Sequence, residues 1–249
     1  MSSVVYKTKI IPQDLKAMTK SYPEYDDPLV LENVVEFSDE EFEKLNNPDP
    51  KAARSMSRSA LLMTDVGMSA QVSIADALKD KPFKVAMYAI IDNGPDDYSS
   101  CFSTADLSDE EFPKAYKKSR SPKQYLKQLP NVAPAQVGIF LGLMGATNVF
   151  VNTQHGVLQA LEQAEVDLKS GVADYAMIIS AFSLEDALLA RRYQLLGSPS
   201  TLLSEGAACV ILKAGNDITD WRSKIRSLKN SQSFGIATSL VNLIKEGAL

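Results

Sequence analysis

The sequence predicts an α/β fold: a mostly parallel sheet covered by helices, with a helical elaboration at the N-terminal side. Three observations carry this. Short apolar runs of strand length recur: "FKVAMYAIID" (83–92), "NVFVN" (148–152), "DYAMIISAF" (174–182) and "GAACVILKA" (206–214). Between the second and third runs, Val157, Leu161, Ala164 and Leu168 are spaced 4, 3, 4, which is one helical face. Strand–helix–strand units of this kind build parallel sheets with helices on their faces. No linker divides residues 80–215, so they read as one domain.

In chain order, "VVYKTKII" (4–11) reads as a strand and "DPLVLENVVEFSDEEFEKL" (27–45) as mainly helical. "SDEEF" occurs at 38–42 and again at 108–112. Ser38 and Ser108 fit N-caps, with Glu41 and Glu111 completing capping boxes. Phe37 with Phe42, and Leu107 with Phe112, fit hydrophobic staples. The repeat is therefore punctuation. Pro113 is expected to limit the second helix, since a proline past the first turn deletes a backbone bond. "SRSALLMTDVGMSAQVSIADAL" (57–78) predicts one long helix rich in small residues, weakened by Gly67. "NGPDD" ends the strand at 83–92. "YLKQLPNVAPAQVGIFLGLMGA" (125–146) is apolar and interrupted by Pro130 and Pro134. "SLEDALLARRYQLL" predicts a helix from Ser183, and "FGIATSLVNLIKEGAL" (234–249) a closing helix.

Composition narrows the function. A net charge of −5 argues against a nucleic-acid surface, which needs clustered Lys and Arg in excess. "KAYKKSRSPK" (114–123) is a local basic run; it fits a solvated face or contact with an acidic protein. No apolar run reaches the ~20 residues of a membrane span. Two cysteines without CxxC spacing make neither a disulfide framework nor a zinc site, and cytoplasm is the default.

A nucleophile needs a base or a low pKa of its own. Cys101 sits in a polar stretch with acidic neighbours, and Cys209 lies inside an apolar strand, where a thiol is inert packing. His155 is the one histidine, so a triad needing two imidazoles cannot be assembled from these residues. There is no Walker A sequence, no G-x-G-x-x-G and no HExxH. The corner "NTQHG" (152–156), between strand and helix, is where many α/β enzymes display a nucleophile. Here it carries Gln154 and His155.

The stretch "LPNVAPAQVGIFLGLMGATNVFVNTQHGVLQALEQAEVDLKSGVADYAMIISA" resembles the central part of β-ketoacyl synthases. In that family a "PNVAPAQVGIFLGLMG"-like segment precedes a strand, a cysteine-bearing elbow, a helix ending in "SG-x-AD" and another strand. "SEGAACVILK" resembles the family's "GEGA" strand. Laid on the elbow pattern "CAAGLQAL", "QHGVLQAL" puts Gln154 at the catalytic cysteine. Glutamine at that position marks chain-length factors, the non-elongating ketosynthase β subunits of type II polyketide synthases.

The resemblance implies a thiolase-like fold, the N-terminal half of a β-ketoacyl synthase. Residues 1–249 would form a single truncated domain, best matched over 125–215, with 216–249 a short C-terminal remnant. It implies no catalytic residue and no bound metal or cofactor. The expected partner is a ketosynthase α subunit, which works with phosphopantetheinyl acyl carrier protein and malonyl units to build a poly-β-ketone. The strand Asn148, Val149, Phe150, Val151 and Asn152 would join the partner across a twofold. Phe112, Tyr116, Tyr125 and Leu129 are candidates for the wall of the tunnel holding the chain, core packing being the other reading of each. A regulatory or scaffold module, or an acyl-binding enzyme using His155 or Cys101, are the alternatives.

Overall fold

The computed structural model describes residues 2–23, 25, 28–46, 49–96, 98, 104–119, 121–152, 155–197, 200–215, 221–228 and 232–247; Cys101 and Gln154 lie outside them. The strands are β1 (Ser2–Ile10), β2 (Met18–Tyr22), β3 (Leu29–Val35), β4 (Val85–Ile90), β5 (Thr147–Phe150), β6 (Tyr175–Phe182), β7 (Leu202–Ser204), β8 (Gly206–Ala214) and β9 (Gln232–Ser233). The helices are α1 (Asp39–Glu43), α2 (Pro50–Ala53), α3 (Arg58–Gln71), α4 (Ala75–Asp80), α5 (Phe112–Ser119) and α6 (Pro122–Gln128). They continue with α7 (Val132–Leu141), α8 (Gly156–Lys169), α9 (Ala187–Leu196), α10 (Trp221–Ser227) and α11 (Thr238–Lys245).

The main sheet has the order β1-β8-β6-β4-β5. Strands β4, β5 and β6 are mutually parallel, and β8 runs opposite to both its neighbours, β6 and β1. Four of the five strands thus share one direction, as the mostly parallel expectation requires. Alternation assigns each strand's side chains to two cores. Met87, Met177 and Ile211 face one core; Tyr88, Ile178 and Leu212 face the other. Both faces are covered, which is why these runs are almost continuously apolar.

Helices α3 and α7 cover the first face, and their own contact is close. A Cβ on Gly67 would stand 2.9 Å from Val137 Cγ1, so the glycine that weakens α3 also lets α7 approach it. Helix α8 covers β4, β5 and β6 on the second face through Val157, Leu161, Ala164 and Leu168, all buried. Helix α11, expected as a closing helix, packs on β8 and β1.

The N-terminal elaboration is helical over α1 to α4 but opens with strands. Residues 29–35 form β3, not helix. They pair with β2 and β7 in a second sheet ordered β2-β3-β7-β9, and Asn33 has φ 55°, which interrupts any helix. Buried Val34 and Val35, both β-branched, suit the strand. Segment 57–78 splits at a 3-10 turn, Val72–Ile74. Ser38 closes the expected capping box with Glu41. Ser108 Oγ donates to Glu111 at 2.8 Å, yet Pro113 falls in the first turn of α5 and starts that helix instead of limiting it, because its missing N–H is unneeded there. Asp186, not Ser183, caps α9, its side chain accepting from Leu189 N at 2.8 Å.

Candidate functional site

The C-terminal ends of β4, β5 and β6 lie together at one edge of the sheet, the place where open α/β sheets present ligand sites. The corner after β5 is built there. Asn152 accepts twice: its Oδ1 takes the His155 N–H at 3.0 Å and its carbonyl takes the Gly156 N–H at 2.9 Å. This pins the start of α8, whose N-cap is His155. A Cβ on Gly156 would meet Ile90 Cγ2 at 3.0 Å, so glycine lets the helix abut the end of β4. Residues 152 and 155 bracket Gln154, which lies outside the described residues.

His155 is exposed, and its imidazole makes no hydrogen bond among the described residues. Among the described residues no hydrogen bond or ion pair joins its ring to an acid or a nucleophile, as a relay would need. Cys209 is fully buried in β8, and burial pushes its thiol far up, away from thiolate. Among the described residues no group of three metal-ligating side chains exists. No helix is long and apolar enough to cross a membrane among these residues.

The sheet edge is held by two polar anchors that the sequence reading missed. Glu205, fully buried before β8, accepts from Arg58 Nε at 2.7 Å, Arg58 Nη2 at 2.9 Å, Phe37 N at 3.0 Å and Leu184 N at 3.0 Å. Burial pulls the Arg58 pKa down, but the paired Glu205, aided by Glu36 and Glu185, lifts it above its ordinary value. Asp92, just past β4, accepts from Tyr193 Oη at 2.7 Å. Burial raises the Asp92 pKa to about 6, against the Tyr193 hydrogen bond, which lowers it. A carboxylate inside the apolar run "SEGAACVIL" was the available signal, since a buried charge demands partners.

Arg58 also lines a cleft of about 600 Å³, together with Tyr22, Phe42 and Leu61 and with charges of both signs, among them Glu36, Lys127 and Glu185. The tunnel candidates lie elsewhere. Phe112 and Tyr116 are each 43% exposed and stack on one another at 5.5 Å; Tyr125 is 62% exposed. Leu129 is half-buried beside Pro130 and Val132 in a small cavity. In the single chain the three aromatics are therefore not core residues.

Strand β5 closes the sheet order on its open side. Met87 N donates to Ala146 O at 2.8 Å and Ile91 N to Phe150 O at 3.1 Å. The alternation of a parallel ladder then turns the backbone groups of Thr147 and Val149 outward, away from β4. Asn148 is half-buried, Val149 packs into the first core and Phe150 into the second, while Val151 and Asn152 are exposed. What this edge can offer another chain is chiefly backbone.

No protein-family model matches the sequence, and no curated protein is significantly similar to it. Solved structures are. One is AntDE:AntF, a type II polyketide synthase acyl-carrier protein in complex with its ketosynthase bound to the hexaketide. It matches with TM-score 0.57 at 19% identity, over 72% of this chain and 52% of that one. A β-ketoacyl synthase from Burkholderia phymatum matches with TM-score 0.61 at 13% identity, over 86% and 59%. A ketosynthase, ApeO, in complex with its chain length factor, ApeC, from Xenorhabdus doucetiae matches with TM-score 0.51 at 11% identity, over 88% and 81%.

The fold is that of the thiolase-like ketosynthases. This chain spans between half and three-fifths of the first two of those chains.

Proposed function

We propose that this chain is a non-catalytic chain-length factor, the β partner of a cysteine-bearing ketosynthase in a type II polyketide synthase. One observation carries the reading. The corner between β5 and α8, where the family resemblance puts the catalytic cysteine, has Gln154 in the sequence. A carboxamide donates and accepts hydrogen bonds but cannot form a thioester. Acyl transfer then belongs to the partner, and this chain shapes the space in which the poly-β-ketone grows.

Two features of the chain support that division of labour. Among the described residues no strand pairs with the outer edge of β5, whose outward backbone groups are suited to extending the sheet into a second subunit. Phe112, Tyr116 and Tyr125 are exposed in the single chain, so a tunnel role for them requires a partner that covers them. Bulky side chains at the tunnel end limit length sterically, by excluding one more extension unit. Malonyl units and the phosphopantetheinyl acyl carrier protein reach the complex through the ketosynthase.

The test is the size and mass of the protein expressed alone and co-expressed with a ketosynthase encoded beside it. Recovery as a one-to-one complex, with self-association or insolubility alone, is the expected result. A well-behaved monomer indifferent to the ketosynthase overturns the reading. Turnover of an acyl thioester by the purified chain alone does so too, and returns attention to His155.

A further inference from the structure

The cleft that Arg58 lines has a volume of about 600 Å³, within the roughly 300–1,000 Å³ of small-molecule sites. It shares no residue with the β5–α8 corner or with the edge of β5. Its lining carries both signs of charge, and most of that charge is already matched. Lys20 pairs with Glu36, and Lys127 stands 3.9 Å from Glu185. Arg58 engages Glu205 and the Phe37 carbonyl through Nε and Nη2. Three groups keep spare capacity. Nη1 of Arg58 donates to nothing among the described residues, and that side chain is 22% exposed. Arg54 and Asp39, both exposed, form no ion pair and no side-chain hydrogen bond among those residues. Apolar surface accompanies them: Phe42 and Leu61 are half-buried and line the same cleft.

We propose that this cleft binds a small zwitterion, an α-amino acid with an apolar side chain. The other ligand classes each meet opposition. A ligand of net negative charge faces Glu36, Asp39 and Glu185, and one of net positive charge faces Arg54, Arg58 and Lys127. Like charges repel more strongly in a partly buried cleft than in bulk water. An uncharged apolar ligand would strip water from Arg54, Asp39 and Arg58 Nη1 and return no hydrogen bond to them. An amino acid answers all three. Its carboxylate suits the planar donors of Arg54 and Arg58 Nη1, its ammonium suits the carboxylate of Asp39, and its side chain suits Phe42 and Leu61. The pairs Lys20–Glu36 and Lys127–Glu185 stay intact throughout.

The test is isothermal titration of L-leucine, L-methionine and L-phenylalanine onto the full chain, or onto its ketosynthase complex where only that is soluble; the proposal itself does not rest on a ketosynthase partner. The N-acetyl derivative of each, which keeps only the carboxylate, and the amide of each, which keeps only the ammonium, are titrated in parallel. The expected result is that at least one parent amino acid binds with a Kd below about 10 mM. Each of its derivatives then binds roughly tenfold or more weakly, the loss of one charge-assisted contact. Arg54→Ala and Asp39→Asn should each weaken the parent about threefold or more, without shifting the melting temperature of the ligand-free protein. Arg54→Lys, which keeps the charge, should restore part of the affinity. No binding by any of the three parents overturns the proposal. A derivative that binds as well as its parent does so too, as does unchanged affinity in either variant.

Discussion

Arg58 and Glu205, 147 residues apart, form a two-pronged ion pair in which Nε and Nη2 of the guanidinium donate to separate oxygens of a fully buried carboxylate. Two backbone N–H groups, of Phe37 and Leu184, complete the acceptor capacity of Glu205. One side chain therefore ties together the end of β3, the start of α3, the segment after β6 and the start of β8. Glu205→Ala should cost about 3–5 kcal/mol, because it leaves a partly buried cation and two donors unmatched. Glu205→Gln should cost less, since its amide oxygen still accepts. Urea denaturation of both variants checks this, and equal midpoints for wild type and Glu205→Ala would exclude the clamp.

Asp92 makes stability depend on pH in an identifiable window. In the folded chain it keeps its proton up to about pH 6, because burial disfavours its charge; unfolded, it releases that proton near pH 4. Between those values the folded state binds more protons, so this residue's contribution falls as pH rises from about 4 to about 6. The loss, roughly 1–3 kcal/mol, persists above that window. Asp92→Asn, which can still accept from Tyr193, should remove the slope. Denaturation midpoints across the window decide: a wild-type-minus-variant difference that does not move with pH refutes the assignment.

Gly67→Ala should destabilise, although alanine is the better helix former by about 1 kcal/mol. The new Cβ would lie 2.9 Å from Val137 Cγ1, on a β-branched side chain with little room to turn. Overpacking of this kind costs about 1–3 kcal/mol, so the net effect is a lower melting temperature. A higher one would mean that α3 and α7 separate more easily than their packing implies.

Much of the sheet was legible because its strands are buried on both faces. Residues 85–90 are apolar without interruption, and 175–182 and 206–214 are broken only by Ser180 and Lys213, a pattern no solvent-facing element sustains. The stripe Val157, Leu161, Ala164 and Leu168 was readable for the opposite reason, since α8 has one wet face. Residues 29–35 were misread because the chain runs from them directly into the helix-capping sequence "SDEEF", and their strand state depends on pairing with β2 and β7. The anchors Arg58–Glu205 and Asp92–Tyr193 join residues far apart in the chain, which no local pattern reports. The corner was found from its strand-to-helix transition, whereas its chemistry came from resemblance alone.

Within an assembled complex, Gln154→Ala should leave subunit pairing intact and lower polyketide output only partly. A lost hydrogen bond of ordinary strength corresponds to roughly two- to tenfold. Product formation by equal amounts of co-purified complex is the measurement. Complete loss with the complex intact would assign the amide a chemical step of its own.

The open edge of β5 gives the sharpest test of partnership. Val149 and Phe150 pack into the two cores of their own chain, so charged substitutions there would unfold it before testing any interface. Thr147 has an exposed side chain and an outward backbone N–H. Proline is tolerated on an edge strand where its missing N–H faces away from the sheet. Thr147→Pro should therefore leave stability within about 1 kcal/mol of wild type yet prevent a partner strand from pairing. Asn148→Pro, whose N–H turns toward β4, should instead lower stability by at least about 1 kcal/mol. Co-purification with the ketosynthase and melting of each variant separate the two effects. If Thr147→Pro assembles as well as wild type, the shared sheet is wrong and the partner, if there is one, covers another face.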